Sequence, residues 1–361
     1  MSGGVDSSVA ASLLVREGYD VIGGFMKNWS DTKDLWTGEC EWRGERRDAM
    51  RVAAKLGIPL LTFDFEEAYR AHVVNDLFRG YEAGETPNPD VLCNEFIKFG
   101  LFFEEAMRRG CEYVAMGHYA RVIHSQQIAH HKQQGTETEC RLFRGVDSTK
   151  DQSYFLYRVP QNVLRRTIFP IGHLHKSEVR KIAHEMNLPV AKKPDSQGIC
   201  FIGKLNMVEF LRKKIPSRPG KIVDEHGNVL GQHEGLDGYT IGQRHRIHVS
   251  RGEEPWYVAQ KNVKMNTLVI VQGSEHPQLF RSDATIRDLH WISGQPPTLP
   301  LECDVQMRYR QEPVRATMTQ RATDNWQLQC EKPVKAIAPG QSAVLYSGDE
   351  CLGGGKIISA H

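Results

Sequence analysis

Apolar and polar positions in the first half of the chain alternate between two rhythms. Residues 6–17 carry apolar side chains at helical spacing and stop at Gly18, and residues 20–26 then form a short apolar run of the length of a buried strand. The pair repeats. Residues 44–56 predict a helix ended by Gly57 and Pro59, residues 60–63 a strand, and residues 66–81 another helix. Residues 84–90 hold two prolines and read as loop, 95–109 as helix, and 112–116 as a strand ending at Gly117. This order predicts an α/β domain on a parallel sheet. From Arg218 onward, glycines, prolines and short alternating runs such as 267–271 and 343–346 replace the long helices, so the remainder should be mostly β, with 294–300 a long turn. Residues 124–138, rich in His and Gln and without periodicity, read as a surface insertion.

Composition narrows the class. A chain of 361 residues holds two or three domains, and none of its apolar runs approaches the roughly 18 residues of a membrane span. Eight cysteines are too sparse for a disulfide scaffold and lack the paired short spacings of a zinc site, so we expect a reducing compartment and no structural metal. The first residues resemble neither a secretory signal nor a transit peptide. The net charge of +2 hides an asymmetry: residues 1–110 carry 13 Lys+Arg against 19 Asp+Glu, and residues 158–264 carry 19 against 10. A basic middle is the footprint of contact with a phosphate backbone, or else a solvated face without a partner.

Three segments carry chemistry. Ser2-Gly3-Gly4-Val5-Asp6-Ser7-Ser8, running directly into a helix, combines glycines, hydroxyls and the free N–H groups of a helix N-terminus, which cradle phosphate. It is neither a Walker A loop nor a dinucleotide fingerprint; the plainer reading is a glycine turn capped by Asp6 and Ser7. Residues 86–94 place Asn88, Pro89, Asp90 and Cys93 in a stiff segment at a helix start, where a thiolate is favoured and Asp90 can move a proton. Alone, such a cysteine is more often a buried structural one. Residues 195–203 set Cys200 between a polar, glycine-containing loop and an apolar segment. If Cys200 carries a persulfide, its terminal sulfur can attack an activated carbon, after which Cys93 and Cys200 close a transient disulfide.

Taken in order, these blocks resemble the tRNA-specific 2-thiouridylases, together with residues 25–29, 116–120, 150–153, 239–244, 254–258, 308–311, 339–343 and 351–355. The resemblance implies an adenine-nucleotide-hydrolase-like, doubly wound parallel sheet in residues 1–205, a small central domain contacting tRNA in 206–275, and a C-terminal β-barrel in 276–361. It implies ATP bound by Met1, Ser2, Gly3, Gly4, Val5, Asp6, Ser7, Met26 and Gly117, with Mg2+ on its phosphates. Asn88, Pro89 and Asp90 would meet a target uridine drawn out of its stack, because chemistry on a base needs access to it. His118, Lys150, Asp151, Gln152, Arg308, Tyr309 and Gln341 would contact tRNA; the alternatives are a packed histidine at 118 and exposed positions of an alternating strand at Arg308 and Arg310. Cys93 matches the nucleophile and Cys200 the persulfide cysteine, and the sulfur would come from a relay protein fed by a cysteine desulfurase.

In that family the phosphate loop follows a central strand for which Met1 leaves no room, and losing such a strand would strip ladder hydrogen bonds from its neighbours. The expected compartment is a bacterial cytosol, or a mitochondrion if the chain is eukaryotic and lacks its N-terminus. Two rival readings are another adenylating enzyme sharing the phosphate loop, which would need neither cysteine, and a tRNA-binding protein whose catalysis is impaired by the missing strand.

Overall fold

In the computed structural model, residues 1–31, 40–124, 139–195, 207–249, 254–322 and 324–361 are described. Helix α1 (Val5–Arg16), strand β1 (Gly23–Lys27), helix α2 (Glu41–Leu56) and strand β2 (Leu60–Asp64) open the chain in the order its periodicity dictates. Strands β1 and β2 pair in parallel from Gly23 opposite Leu60 to Lys27 opposite Asp64. Two helical runs follow, α3 (residues 66–82) and α4 (residues 89–108), each interrupted by π-helical turns, at Arg70–Val74 and Cys93–Leu101.

Helix α4 starts earlier than the sequence pattern suggested, because Asn88 Oδ1 accepts from the Asp90 backbone N–H at 3.2 Å and Pro89 takes the first helical position. Asp90 and Cys93 therefore ride on the first turns of a helix instead of a free loop. Strand β3 (Val114–Ala115) pairs in parallel with a later strand, β6 (Thr167–Ile168). Between these two lies a hairpin, β4 (Ala120–His124) and β5 (Cys140–Arg144). Most of the His/Gln-rich segment that it flanks, residues 125–138, lies outside the described residues.

Helix α5 (Lys176–Glu185) buries Val179 and Ala183 against Val9, Ala10 and Leu13 of α1, with Val52 of α2 in the same cluster. The interior thus locks the N-terminal helix between two others. Among the described residues no strand joins β1 to β3; the Met1 amino group donates to Gly24 O, and the Met1 sulfur lies over Gly23.

Helix α6 (Met207–Arg212) leads into a four-stranded sheet of β7 (Gly220–Val223), β8 (Val229–His233), β9 (Trp256–Asn262) and β10 (Thr267–Gln272), in the order β8-β7-β10-β9. Ile222, Val258, Leu268 and Ile270 fill its small core. The last six strands are β11 (Phe280–Trp291), β12 (Leu301–Gln306), β13 (Val314–Ala322), β14 (Asn325–Lys335), β15 (Ser342–Ser347) and β16 (Glu350–Ala360). They close into a barrel because β16 pairs with both β15 and β11, which leaves this ring without an edge. The β4–β5 hairpin adds to the barrel through β16, Glu350 opposite Phe143 and Cys351 opposite Leu142, a connection that periodicity did not reveal. No helix among the described residues is long and apolar enough to cross a membrane.

Candidate active site

The N-terminal loop is shaped by contacts that exclude side chains. Gly3 has φ +72°, and a Cβ there would lie 2.2 Å from Glu45 O. Gly117, at the end of β3, passes so close that its Cβ would lie 2.7 Å from Ser7 N. The Ser7 hydroxyl accepts from Ser2 N at 3.1 Å, and Ser8 Oγ donates to Gly4 O at 2.7 Å. Gly4, the N-cap of α1, offers no side-chain acceptor to the first helical turn. Its N–H groups are thus available to an anion.

A set of charges surrounds this loop, of which the sequence reading had named only Asp6 and Lys150 as site residues. Lys176 Nζ lies 2.7 Å from Asp6 Oδ1 and 2.9 Å from Asp195, Tyr119 OH donates to Asp6 at 2.9 Å, and Lys193 Nζ reaches Gly3 O at 3.0 Å and Asp48 at 2.8 Å. Lys150 and Arg180 close on Asp195 at 2.8 and 2.6 Å. Burial alone would raise the Asp195 carboxyl, but hydrogen bonds and charge from Lys150 and Lys176 hold it well below the usual carboxylate range. Burial first, then the Asp6 charge, pushes the Tyr119 hydroxyl far up, so it stays a donor. Four cations (Lys150, Lys176, Arg180, Lys193) face three carboxylates (Asp6, Asp48, Asp195), a balance suited to a polyphosphate. No residue type or spacing signalled Lys176 or Lys193; only the return of α5 to α1 brings them here.

Met26, at the end of β1, joins Cys93 in one buried cluster with Trp29, Tyr69 and Ile97. Cys93 is fully buried, on the π-helical stretch of α4, a distortion frequent at functional sites. Around these elements stand buried polar atoms without a partner among the described residues: both amide atoms of Asn28, Asn94 Oδ1 and His118 Nδ1. Such atoms are rare in a folded interior and leave hydrogen bonds for water or a ligand to complete. The phosphate cradle, the excess of cations and these open amide positions fit an adenine nucleotide. Cys200 lies outside the described residues.

The residues expected on tRNA fall into distinct environments. His118 is buried, its ring 5.9 Å from those of Phe99 and Phe169, with Nε2 3.3 Å from Lys98 Nζ. Burial and the Lys98 charge push its pKa well below the ordinary value, so the ring is neutral and Nε2 accepts from the ammonium. Asp151 accepts from Gly145 N, Ser153 N, Ser153 Oγ and Arg144; Lys150 is held by Asp195; and Gln152 Oε1 accepts from Tyr119 N at 3.1 Å. Arg308 and Arg310 are exposed, but on a turn after β12 and not on a strand, as the alternating-strand reading had it. Tyr309 packs on Phe155 at 4.4 Å, and the Arg310 guanidinium lies 5.2 Å from the centre of its ring. The Gln341 amide donates to Thr86 O at 2.7 Å.

Comparisons with known proteins agree along the whole chain. A family model described as "tRNA methyl transferase HUP domain" matches residues 1–204, "tRNA methyl transferase PRC-barrel domain" matches 208–272, and "Aminomethyltransferase beta-barrel domain" matches 281–357. A tRNA-specific 2-thiouridylase of Nitrosomonas eutropha is 47% identical over 364 residues, covering 100% of this chain and 97% of that protein. The namesake from Shouchella clausii is 44% identical over 361 residues (100% and 96%), and that from Vibrio cholerae 44% over 362 residues (99% and 94%). With a phosphate cradle and a buried thiol in the first domain, three matched domains in order and relatives aligned nearly end to end, this chain belongs to the family of tRNA-specific 2-thiouridylases.

Proposed function

We propose that this protein replaces the 2-oxygen of the wobble uridine of tRNA by sulfur, using ATP. The observation that carries the reading is that the end of β3 joins the two parts: Gly117 passes against Ser7 of the cradle, and the adjacent Met116 packs in one cluster with Val91 and Phe99 of the helix bearing Asp90 and Cys93. The uridine 2-oxygen attacks the α-phosphorus of ATP and pyrophosphate leaves, which turns that oxygen into part of an AMP leaving group. First-turn N–H groups of α1 and the Lys176–Lys193 set hold the phosphates, with Mg2+ shielding them when bound. Asn88 and Pro89 orient the extruded base, and Asp90 takes the proton lost from it.

The terminal sulfur of a Cys200 persulfide then attacks C2, the C–O bond breaks and AMP departs. Cys93 attacks the Cys200 sulfur next, forming the Cys93–Cys200 disulfide; the S–S bond of the persulfide breaks, its electron pair stays on the sulfur attached to C2, and two thiols are oxidised for each thiocarbonyl made. Arg308, exposed on its turn, and the half-buried Tyr309 beside it, with Lys150 and Gln152, remain the proposed tRNA-facing set. A cellular dithiol reductant reopens the Cys93–Cys200 disulfide, after which a relay protein fed by a cysteine desulfurase passes its persulfide sulfur to the freed Cys200 thiolate; a bacterial cytosol is the compartment consistent with this chemistry.

The test is direct. Protein, ATP, Mg2+, a persulfide source and unmodified tRNA are incubated, and digested nucleosides are read by mass spectrometry. 2-Thiouridine is expected with the unaltered chain and absent with Cys93→Ala and with Cys200→Ala. Product persisting in both variants would overturn the two-thiol route. Pyrophosphate release without thiouridine, unaffected by either variant, would favour another adenylating enzyme.

A further inference from the structure

The segment that leads into the catalytic helix belongs to no strand, yet parts of all three domains hold it. Thr86 N donates to Pro339 O at 2.8 Å, and Gln341 Nε2 donates to Thr86 O at 2.7 Å, so both polar groups of the Thr86 main chain are taken by the barrel. From the central domain, Lys261 Nζ reaches Glu85 O at 3.4 Å while donating to Tyr239 O at 2.9 Å, and Thr240 Oγ1 lies 3.3 Å from Thr86 Oγ1. Lys356 of β16 pairs with the Glu85 carboxylate at 2.7 Å. The approach is close enough to require glycine: Gly340 has φ +91°, and a Cβ there would lie 2.8 Å from Thr86 N.

We propose that Gln341 and Lys261 are positioning residues, which clamp Glu85–Thr86 between barrel and central domain and so set the place of Asp90 and Cys93. Their leverage comes from the sequence between clamp and site. Thr86 is followed by Pro87-Asn88-Pro89, two residues whose φ is fixed by the ring, and then by the Asn88 cap of α4. A chain with so few free torsions carries a shift at Thr86 to Asp90, four residues on, with little damping. Pro87 is itself wedged on α3, where a Cβ at Gly80 would lie 2.8 Å from its ring. Lys261 sets its charge on two main-chain carbonyls, with the Asp237 and Glu85 carboxylates near enough to act on it but no ion pair among the described residues, an arrangement without purpose for surface solubility. Burial lowers this ammonium to about 8, against the Asp237 and Glu85 charges, which raise it.

The inference rests on the thiouridylation reading only for its kinetic arm. Gln341→Met and Lys261→Met keep bulk and remove the donor; Lys261→Arg keeps a donor. Hydrogen exchange of the peptide covering residues 84–94 is measured in the full chain without tRNA, beside thermal melting, tRNA affinity and single-turnover sulfur transfer at saturating tRNA. Exchange in 84–94 is expected to rise about tenfold in each Met variant, with the barrel strands unchanged. Transfer should fall roughly tenfold or more at unaltered tRNA affinity, since a displacement near 1 Å suffices for such a loss. Lys261→Arg should recover most of the rate. Weaker tRNA binding with a normal saturated rate would make Gln341 an RNA contact and overturn the clamp, and so would unchanged exchange in 84–94. Should one Met variant fail to fold, the other carries the same test. If the unaltered chain makes no thiouridine, the proposed reaction fails, while the exchange result still decides the clamp.

Discussion

At the scale of single residues, Asp195 joins the phosphate cradle to the segment that continues toward Cys200. Its carboxylate is shared by Lys150, Lys176 and Arg180, and Lys176 also serves Asp6. Because the folded carboxyl is held below its ordinary value, the unfolded chain binds more protons in acid. The resulting stability is complete above the unfolded pKa near ~3.9 and is lost as pH falls through the lower folded value. The side chain is about a third exposed, so solvent screening keeps each bridge to about 1 kcal/mol or less. Asp195→Asn should therefore flatten the acid limb of a melting profile taken from pH 6 to 2, and the unaltered protein should lose more of its melting temperature over that span. Parallel profiles would show that the network contributes nothing to acid stability.

At the scale of elements, the phosphate loop depends on a backbone conformation as much as on its hydroxyls. Gly3→Ala forces a side chain into the left-handed region and against Glu45 O, a strain of roughly 1–3 kcal/mol. It should weaken ATP binding by at least about tenfold in calorimetry, with the far barrel intact; undiminished ATP affinity would remove this loop from the nucleotide site. What the sequence revealed here was what is contiguous. Ser2–Ser8 and Asn88–Cys93 are unbroken runs whose glycines, cap and prolines declare their conformation, and the helices and strands up to β3 follow from local periodicity apart from the early start of α4. What it hid was every partner supplied by chain return. Lys176 meets Asp6 across 170 positions and Gln341 meets Thr86 across 255, pairings that composition cannot order. The ring environment of His118 comes from Phe99 and Phe169 on separate elements, so a residue expected to face RNA lies in the interior. The β4–β5 hairpin escaped notice because its partner, β16, begins more than two hundred residues later.

At the scale of the molecule, the first domain and the barrel share an interior. Val91, Phe99, Met116, Tyr154, Leu156 and Leu164 pack in one cluster with Val344, Tyr346 and Cys351 of the barrel. Polar groups seal it: Tyr154 OH donates to Ser342 O at 2.9 Å, Ser153 Oγ lies 3.1 Å from Tyr346 OH, and the Arg144 guanidinium sits 3.5 Å over the Tyr346 ring while bonding Asp151 at 3.0 Å. Interfaces between mobile domains are more polar than this, so although the barrel also has a core of its own around Val305, Leu328 and Leu345, its junction with the first domain is packed like an interior. Denaturant unfolding should then be one event for both. Trp29 lies in the first domain, and Trp291 and Trp326 face each other edge-on in the barrel at 6.2 Å. With the remaining tryptophans changed to Phe, a Trp29-only chain and a Trp291/Trp326 chain should report the same midpoint and slope. Two separated transitions would mean that the barrel folds alone. In that case the Thr86 clamp would join two independent bodies, and its hold on Cys93 would vary with their motion instead of being fixed by a common core.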